Sequence, residues 1–157
     1  PGSNLQHEEV LKKLIGLWES NGQATEVEDL IFEYIRRDLL NRVLGNCDNH
    51  GRNTALFRYQ GRYALAPIYD LAPMVLDQEG LSRATKWSAG RESSWQAVCD
   101  HFKPWTNPDD LYARIRQTAE EFRALPDLLV NLPLEIRQSS ALAVNNLDVH
   151  LGYWGLR

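Results

Sequence analysis

The chain has 157 residues, of which 43% are hydrophobic, and it carries a formal net charge of −4 with a pI near 5.6. This length suits one domain with a core of ordinary size. The acidic balance disfavours direct nucleic-acid binding, which needs an excess of basic residues for phosphate contacts. No apolar run approaches the ~18 residues that cross a bilayer and no signal peptide is recognisable, so the sequence predicts a cytoplasmic protein without a membrane contact.

The ends and the cysteines add little chemistry. Residues 1–3, Pro-Gly-Ser, are typical of a cloning remnant, and residues 4–157 are predicted to form a single domain. Cys47 and Cys99 lie far apart, without the spacing of metal ligands, and are interpreted as small buried side chains.

Apolar residues that recur every three or four positions predict helices over 8–19 and 25–44. Thr25 and Glu28 match a capping box at the start of the second helix. Gly45 and Asn46 can end it, because both residue types tolerate the left-handed conformation. The chain therefore places a long amphipathic helix directly before a polar loop.

Three more helices are expected in the second half of the chain. Ser93 can cap a short helix that ends before Pro104, and the stretch 106–110, Thr-Asn-Pro-Asp-Asp, begins a helix that reaches about Ala124. A last helical stretch is predicted over 133–151. Residues 77–94 are polar and rich in Gly and Ser, and are interpreted as a surface loop.

Residues 54–59 and 62–66 are rich in β-forming side chains and flank Gln60-Gly61, which predicts a β-hairpin. Two prolines then bracket Asp70 and restrict the backbone around it. The predicted fold class is mainly α, a helical bundle with one short β-hairpin carrying the catalytic and metal-binding loops.

Asp48, Asn53 and Asp70 form the candidate site. Phosphoryl transfer needs a carboxylate near the attacking hydroxyl and oxygen ligands for Mg²⁺ on the nucleotide phosphates. The pattern D-x-x-x-x-N, followed by a hairpin and a second Asp, supplies these groups if the returning strand brings Asp70 beside the loop. Asn, Asp and Gly are also ordinary turn residues, so the first part of the pattern alone is common.

Two further residues of the loop have two open roles each. His50 could hydrogen-bond the transferred phosphoryl group or the catalytic carboxylate, and Arg52 could neutralise charge or pair with Asp48. Alternatively, both side chains could serve only to hold the loop in place.

The motif Asn46-x-Asp48-x-His50-x-Arg52-Asn53, with the later Leu65-Ala66-Pro67-x-Tyr69-Asp70-Leu71, resembles the C-terminal kinase lobe of the HipA-like serine/threonine kinases, the toxins of bacterial toxin–antitoxin pairs. The resemblance is close over 27–75 and general beyond. It implies that Asp48 is the catalytic aspartate, that Asn53 and Asp70 bind Mg²⁺, and that the three residues together form part of the ATP site. Asp70 corresponds to the aspartate of the kinase DFG motif, although Leu71 and Ala72 follow it here.

The resemblance also implies several partners. The sequence shows no glycine-rich phosphate loop and no strand lysine, so the chain is expected to be a fragment or, as the less favoured alternative, one half of a split protein; in either case it needs an N-terminal kinase lobe and is expected to be inactive alone. A HipB-like helix-turn-helix antitoxin and protein substrates such as aminoacyl-tRNA synthetases are implied in the same way.

Two other functions remain open from the sequence. A related D-x-x-x-x-N pattern occurs in lipid kinases and small-molecule phosphotransferases, although the chain lacks the basic stretch expected at a membrane surface. A catalytically silent helical domain could instead bind a partner protein through Trp87, Trp105 or Trp154, unless these tryptophans belong to the core.

Overall fold

The computed structural model describes residues 5–49, 51–77, 79–80, 82–88, 90–91 and 93–157, with Arg52 described by its backbone alone. The fold is mainly α, as predicted. The helices are α1 His7–Ser20, α2 Val27–Val43, α3 Trp95–His101, α4 Pro108–Glu121, α5 Leu125–Leu128, α6 Leu134–Arg137 and α7 Leu147–Tyr153. The strands are β1 Leu5–Gln6, β2 Leu56–Tyr59, β3 Arg62–Leu65 and β4 Thr85–Lys86. Residues 1–3, the expected cloning remnant, lie outside the described residues.

The core is the common interface of the long helices. α2 packs against α1 on one side and α4 on the other, and α3 packs against α4. The apolar positions predicted from the three- and four-residue spacing are the ones that become buried. The largest fully buried apolar side chains of this core are Leu11 and Ile15 of α1, Ile31, Ile35 and Leu39 of α2, Phe102 directly after α3, Leu111 and Ile115 of α4, and Leu151 and Leu156 at the chain end.

The β-hairpin forms as predicted. β2 and β3 are antiparallel, with Leu56 opposite Leu65 and Tyr59 opposite Arg62. Gln60 and Gly61 both have positive φ angles, 49° and 79°. A two-residue turn of this kind matches the right-handed twist of the flanking strands. The hairpin therefore returns the chain toward the loop that follows α2.

The predicted capping box at Thr25 and Glu28 is wrong. α2 begins at Val27, after a 3₁₀ turn over Ala24–Glu26, and no side chain caps its first turn. The turn is held by long-range contacts of Gln23, whose side chain accepts from Tyr63 N at 2.7 Å and donates to Tyr63 O at 3.0 Å. These bonds to the hairpin, and not a local cap, fix where the helix begins.

The helix starts at α3 and α4 are capped by side chains. Ser94 accepts from Ala97 N at 3.2 Å, so the cap predicted at Ser93 is one residue early. Asn107 accepts from Asp109 N at 3.0 Å and Pro108 occupies the first helical position, which confirms the predicted helix start.

The prediction that 77–94 is surface loop is wrong for part of that range. Thr85 pairs with Leu5 in a parallel two-stranded sheet, and both Thr85 and Trp87 are 3% exposed. A strand of two residues whose partner lies near the start of the chain leaves no local periodicity that could reveal it.

The continuous helix predicted over 133–151 is also wrong. The segment divides into α6, a 3₁₀ turn over Ala143–Asn146, and α7. The Asn145 side chain donates to Ile136 O at 2.9 Å and Ser139 O at 2.8 Å, which offers these carbonyls a partner outside a helix. Within the described residues, no helix combines the length and apolar character needed to cross a membrane.

Gly45 ends α2 at a position where only glycine fits. Its φ angle is +70°, and a Cβ atom there would lie 2.6 Å from both Leu142 Cδ2 and Val75 Cγ1. Its carbonyl accepts from Val75 N at 2.9 Å. The C-terminal stop predicted at Gly45 is confirmed.

Gly45→Ala is therefore expected to lower the free energy of unfolding by about 3 kcal/mol, because the left-handed conformation and overpacking each cost about 1–2 kcal/mol. Gly22→Ala is the matched control: its φ angle is +73°, but no atom lies within 4 Å of the added Cβ. The control should lose only about 1 kcal/mol in urea denaturation. Equal losses in the two variants would contradict the packing argument.

Candidate active site

The loop after α2 is anchored by Asn46, whose side chain is 4% exposed. Its Nδ2 donates to Asn41 Oδ1 at 3.0 Å, and its main-chain N donates to Asn41 O at 2.8 Å. Its Oδ1 accepts from Asp48 N at 3.1 Å. One buried amide thus connects the last turns of α2 to the backbone of the candidate catalytic residue.

Asp48 and Asn53 are brought together, as the sequence predicts. Asp48 is half-buried, and its carbonyl accepts from Asn53 Nδ2 at 2.9 Å. A 3₁₀ turn over Gly51–Asn53 closes the loop and makes this contact possible. Among the described residues, no hydrogen bond reaches Asn53 Oδ1, so this oxygen has the freedom a cation ligand needs.

Asp70 lies at the end of the segment that follows the hairpin. It is exposed, and its φ angle is +55°. This left-handed conformation is energetically unfavourable for most residue types other than glycine. Among the residues that the structure describes, it makes no hydrogen bond or ion pair with Asp48 or Asn53. Ile68 and Tyr69, directly before it, line the same cavity as Asn53. The hairpin therefore returns this segment to the loop, with the Asp70 carboxylate open to solvent.

The other two predicted site residues are His50 and Arg52. His50 lies outside the described residues, and of Arg52 only the backbone is described, within the 3₁₀ turn. Their predicted roles remain predictions.

Asn49 holds the second side of the loop. Its carbonyl accepts from Thr85 Oγ1 at 2.9 Å, and its Oδ1 accepts from Thr85 N at 3.4 Å. Its Nδ2 donates to Asp38 Oδ1 at 3.4 Å. The loop is thus fixed to α2 through Asn46 and to both β4 and α2 through Asn49.

Asp38 is the centre of a buried polar cluster with a side chain 2% exposed. His7 Nε2 lies 3.2 Å from its Oδ1, while Trp87 Nε1 and Arg42 Nε lie 2.9 and 3.3 Å from its Oδ2. Arg83 also donates to this carboxylate. Burial alone would raise the pKa of Asp38, but the adjacent His7, Arg83 and Arg42 outweigh it and hold the pKa well below its usual range.

The cluster joins parts of the chain that are distant in sequence. His7 begins α1, and its Nδ1 lies 3.0 Å from the Tyr34 hydroxyl of α2. Leu5, two residues earlier, lies close enough to Gly51 that an added Cβ there would be 3.2 Å from Leu5 Cδ1. The segment 5–7 therefore lies directly beside the candidate catalytic loop.

A cavity of about 60 Å³ lies between α2, the loop and the hairpin. Its wall includes the polar side chains of Tyr34, Asn41, Asn46, Asn49 and Asn53. This volume holds a few water molecules but no nucleotide, since ligand pockets measure about 300–1,000 Å³. A wider groove of about 390 Å³ beside the hairpin is lined by three acidic side chains, Glu26, Asp29 and Glu33, and by Arg37.

The residue types suit magnesium better than a metal with a closed protein cage. Within the described part of the chain, no three His, Cys, Asp or Glu side chains cluster as metal ligands. Mg²⁺ is commonly held by one or two carboxylates or amides, with phosphates and water completing the shell. Asn53 and Asp70 offer oxygen atoms of that kind.

A comparison with models of protein families shows to which family the chain belongs. The model for the HipA-like C-terminal domain matches residues 5–125. The chain belongs to this family. Searches of curated proteins and of solved structures gave no match.

The match covers all five predicted site residues of this HipA-like domain and extends well beyond 27–75, where the motif resemblance is close. Residues 126–157 lie outside the match, yet Leu142, Leu151 and Leu156 are buried in the core. The C-terminal segment is therefore an integral part of this HipA-like domain.

Sequence reasoning missed the residues that support the loop. Asn41 and Asn49 carry no motif of their own, and Thr85 sits in a strand without a local signal. Asp38 did leave a signal: it falls on the apolar stripe of α2, four residues after Tyr34 and three after Ile35. A charged residue on such a stripe is buried with partners or breaks the stripe.

Proposed function

We propose that this chain is the C-terminal catalytic lobe of a HipA-like serine/threonine kinase, which transfers the γ-phosphate of Mg-ATP to a protein hydroxyl in the cytoplasm. Family membership supports the kinase relationship. The observation that carries the proposal is the loop itself: Asp48 and Asn53 are hydrogen-bonded, and the hairpin returns the segment that ends in Asp70 to the cavity that Asn53 lines.

Each residue has a role in the proposed reaction. The substrate hydroxyl oxygen attacks the γ-phosphorus, the bond to the β–γ bridging oxygen breaks, and ADP leaves. Asp48 orients the hydroxyl and takes its proton. Asn53 and Asp70 would hold Mg²⁺, which would neutralise part of the phosphate charge. His50 and Arg52 assist at the phosphoryl group or at Asp48.

The proposal includes partners that complete the site. The cavity that Asn53 lines, of about 60 Å³, is too small for a nucleotide, which supports the requirement for an N-terminal lobe that supplies the glycine-rich loop and lysine. Without that lobe the chain is inactive. An antitoxin of the HipB-like helix-turn-helix type and a protein substrate are the other proposed partners.

The alternative of a silent, tryptophan-anchored binding domain has less support. Trp87 is 3% exposed and donates to Asp38, while Trp105 and Trp154 pack against the core. A lipid or small-molecule phosphotransferase would use the same Asp48, Asn53 and Asp70, and differs only in its acceptor.

Mg-ATP binding by the full-length gene product tests the metal site. Asp70→Asn is expected to weaken the affinity for Mg-ATP by about ten-fold or more in calorimetry, since residues that merely support metal ligands contribute about 10- to 100-fold. Asp127→Asn, the same change at an exposed position on α5, should bind like the wild type.

The metal dependence provides a second control for the same experiment. When Mg²⁺ is removed with a chelator, the difference between Asp70→Asn and the wild type should disappear. Equal affinities of the two proteins in the presence of Mg²⁺ would contradict a metal-binding role for Asp70.

A further inference from the structure

We infer that Asn46 is a positioning residue for the transfer step, which sets the backbone of Asp48 and thereby the direction of its carboxylate. This inference rests on the proposed function. It concerns a side chain that acts through the residue it holds.

Both main-chain polar groups of Asp48 are held by asparagine side chains. The Asp48 N–H donates to Asn46 Oδ1 at 3.1 Å, and the Asp48 carbonyl accepts from Asn53 Nδ2 at 2.9 Å. With both of these groups bonded, the backbone of Asp48 has little freedom to rotate, which restricts the directions in which its carboxylate can point. A preorganised group of this kind needs no rearrangement during the reaction.

Asn46 is itself fixed to α2. Its main chain and its side chain both bond Asn41, at 2.8 and 3.0 Å. Because Asn46 is 4% exposed, water cannot readily replace either contact after a substitution. Asn41 of α2 therefore fixes the position of Asn46, and Asn46 in turn fixes the main chain of Asp48.

The chemistry requires an amide at this position. Oδ1 must accept from the Asp48 N–H while Nδ2 donates to Asn41 Oδ1. A carboxylate provides the acceptor but not the donor, and leucine, of nearly the same shape, provides neither. The preceding Gly45, with its φ of +70°, aims the chain so that a side chain of this length reaches both partners.

The test uses steady-state kinetics of the full-length gene product. Asn46→Leu should lower kcat by about 10- to 100-fold, the scale expected for a misplacement of about 1 Å, while KM for ATP stays within about two-fold. Ile115→Val, in the core of α4, controls for stability and should leave kcat unchanged. A kcat for Asn46→Leu within about two-fold of wild type would overturn the inference.

A second pair of variants covers the case in which Asn46→Leu does not fold. Asn41→Asp keeps the acceptor for Asn46 Nδ2 and should retain most of the wild-type kcat, whereas Asn41→Leu removes it and should lower kcat with KM unchanged. Equal kcat values for these two variants would overturn the inference.

The controls separate this inference from the proposed function. If the wild type transfers phosphate and Asp48→Asn does not, the proposed function stands whatever Asn46 does. If the wild type transfers no phosphate at all, the proposed function fails and the role of Asn46 fails with it.

Discussion

Replacing Asp38 by asparagine is expected to lower the free energy of unfolding by about 3–5 kcal/mol. The substitution keeps the volume but removes the charge that His7, Arg42 and Arg83 surround. Breaking a buried ion pair by removing one partner is costly because the remaining charges stay buried without compensation. Urea denaturation followed by tryptophan fluorescence measures the loss, and Trp87, which donates to Asp38, is a direct reporter.

Glu33→Gln is the matched control on the same helix. Glu33 also pairs with two arginines, Arg36 and Arg37, but its side chain is 29% exposed. The expected loss is about 1 kcal/mol or less. A loss for Asp38→Asn no larger than this control would contradict a structural role for the buried cluster.

The pH dependence of stability gives the sign of the Asp38 contribution. Because the folded pKa of Asp38 lies well below its usual value, the contribution is complete above the unfolded pKa of about 4 and is lost as the pH falls through the folded pKa. The stability difference between wild type and Asp38→Asn should therefore narrow as the pH falls below about 4.

Asp48→Asn is expected to lower kcat for phosphoryl transfer by about 10²–10⁴-fold, the contribution typical of a general base. The fold should be retained, since the hydrogen bonds to Asn46 and Asn53 use the main chain of Asp48 and survive the substitution. Initial rates with saturating Mg-ATP, together with urea denaturation of the same sample, measure the two properties separately.

Asp127→Asn again provides the control, because it removes one carboxylate from an exposed helix far in sequence from the loop. Its kcat should equal that of the wild type. If Asp48→Asn kept more than about half of the wild-type kcat while folded, a catalytic role for Asp48 would be wrong.

Local sequence patterns were sufficient to predict those elements whose structure depends on local interactions. The spacing of apolar residues predicted α1 and α2, because one buried face per helix is all that their packing requires. Gln60-Gly61 predicted the hairpin, because the turn geometry is set by these two residues themselves. The contact between Asp48 and Asn53 followed from a loop of five residues that closes on itself.

Two of the errors share a physical cause, namely control by contacts that are distant in sequence. The start of α2 depends on Gln23 bonding Tyr63 across the hairpin, and β4 exists because Leu5 pairs with Thr85. Neither partner is visible in a window of ten or fifteen residues. The supporting role of Asn46 was missed for a different reason: glycine and asparagine at a helix end are explained by the end itself.

Serine/threonine kinase activity is tested most directly by phosphate transfer from γ-labelled Mg-ATP with the full-length gene product. The labelled acceptor is then identified. We expect label on serine or threonine of a protein, in the wild type and in Asp127→Asn, and its loss in Asp48→Asn. Label on a lipid or a small molecule would contradict the proposed acceptor, and the absence of any Asp48-dependent label would contradict the kinase assignment itself.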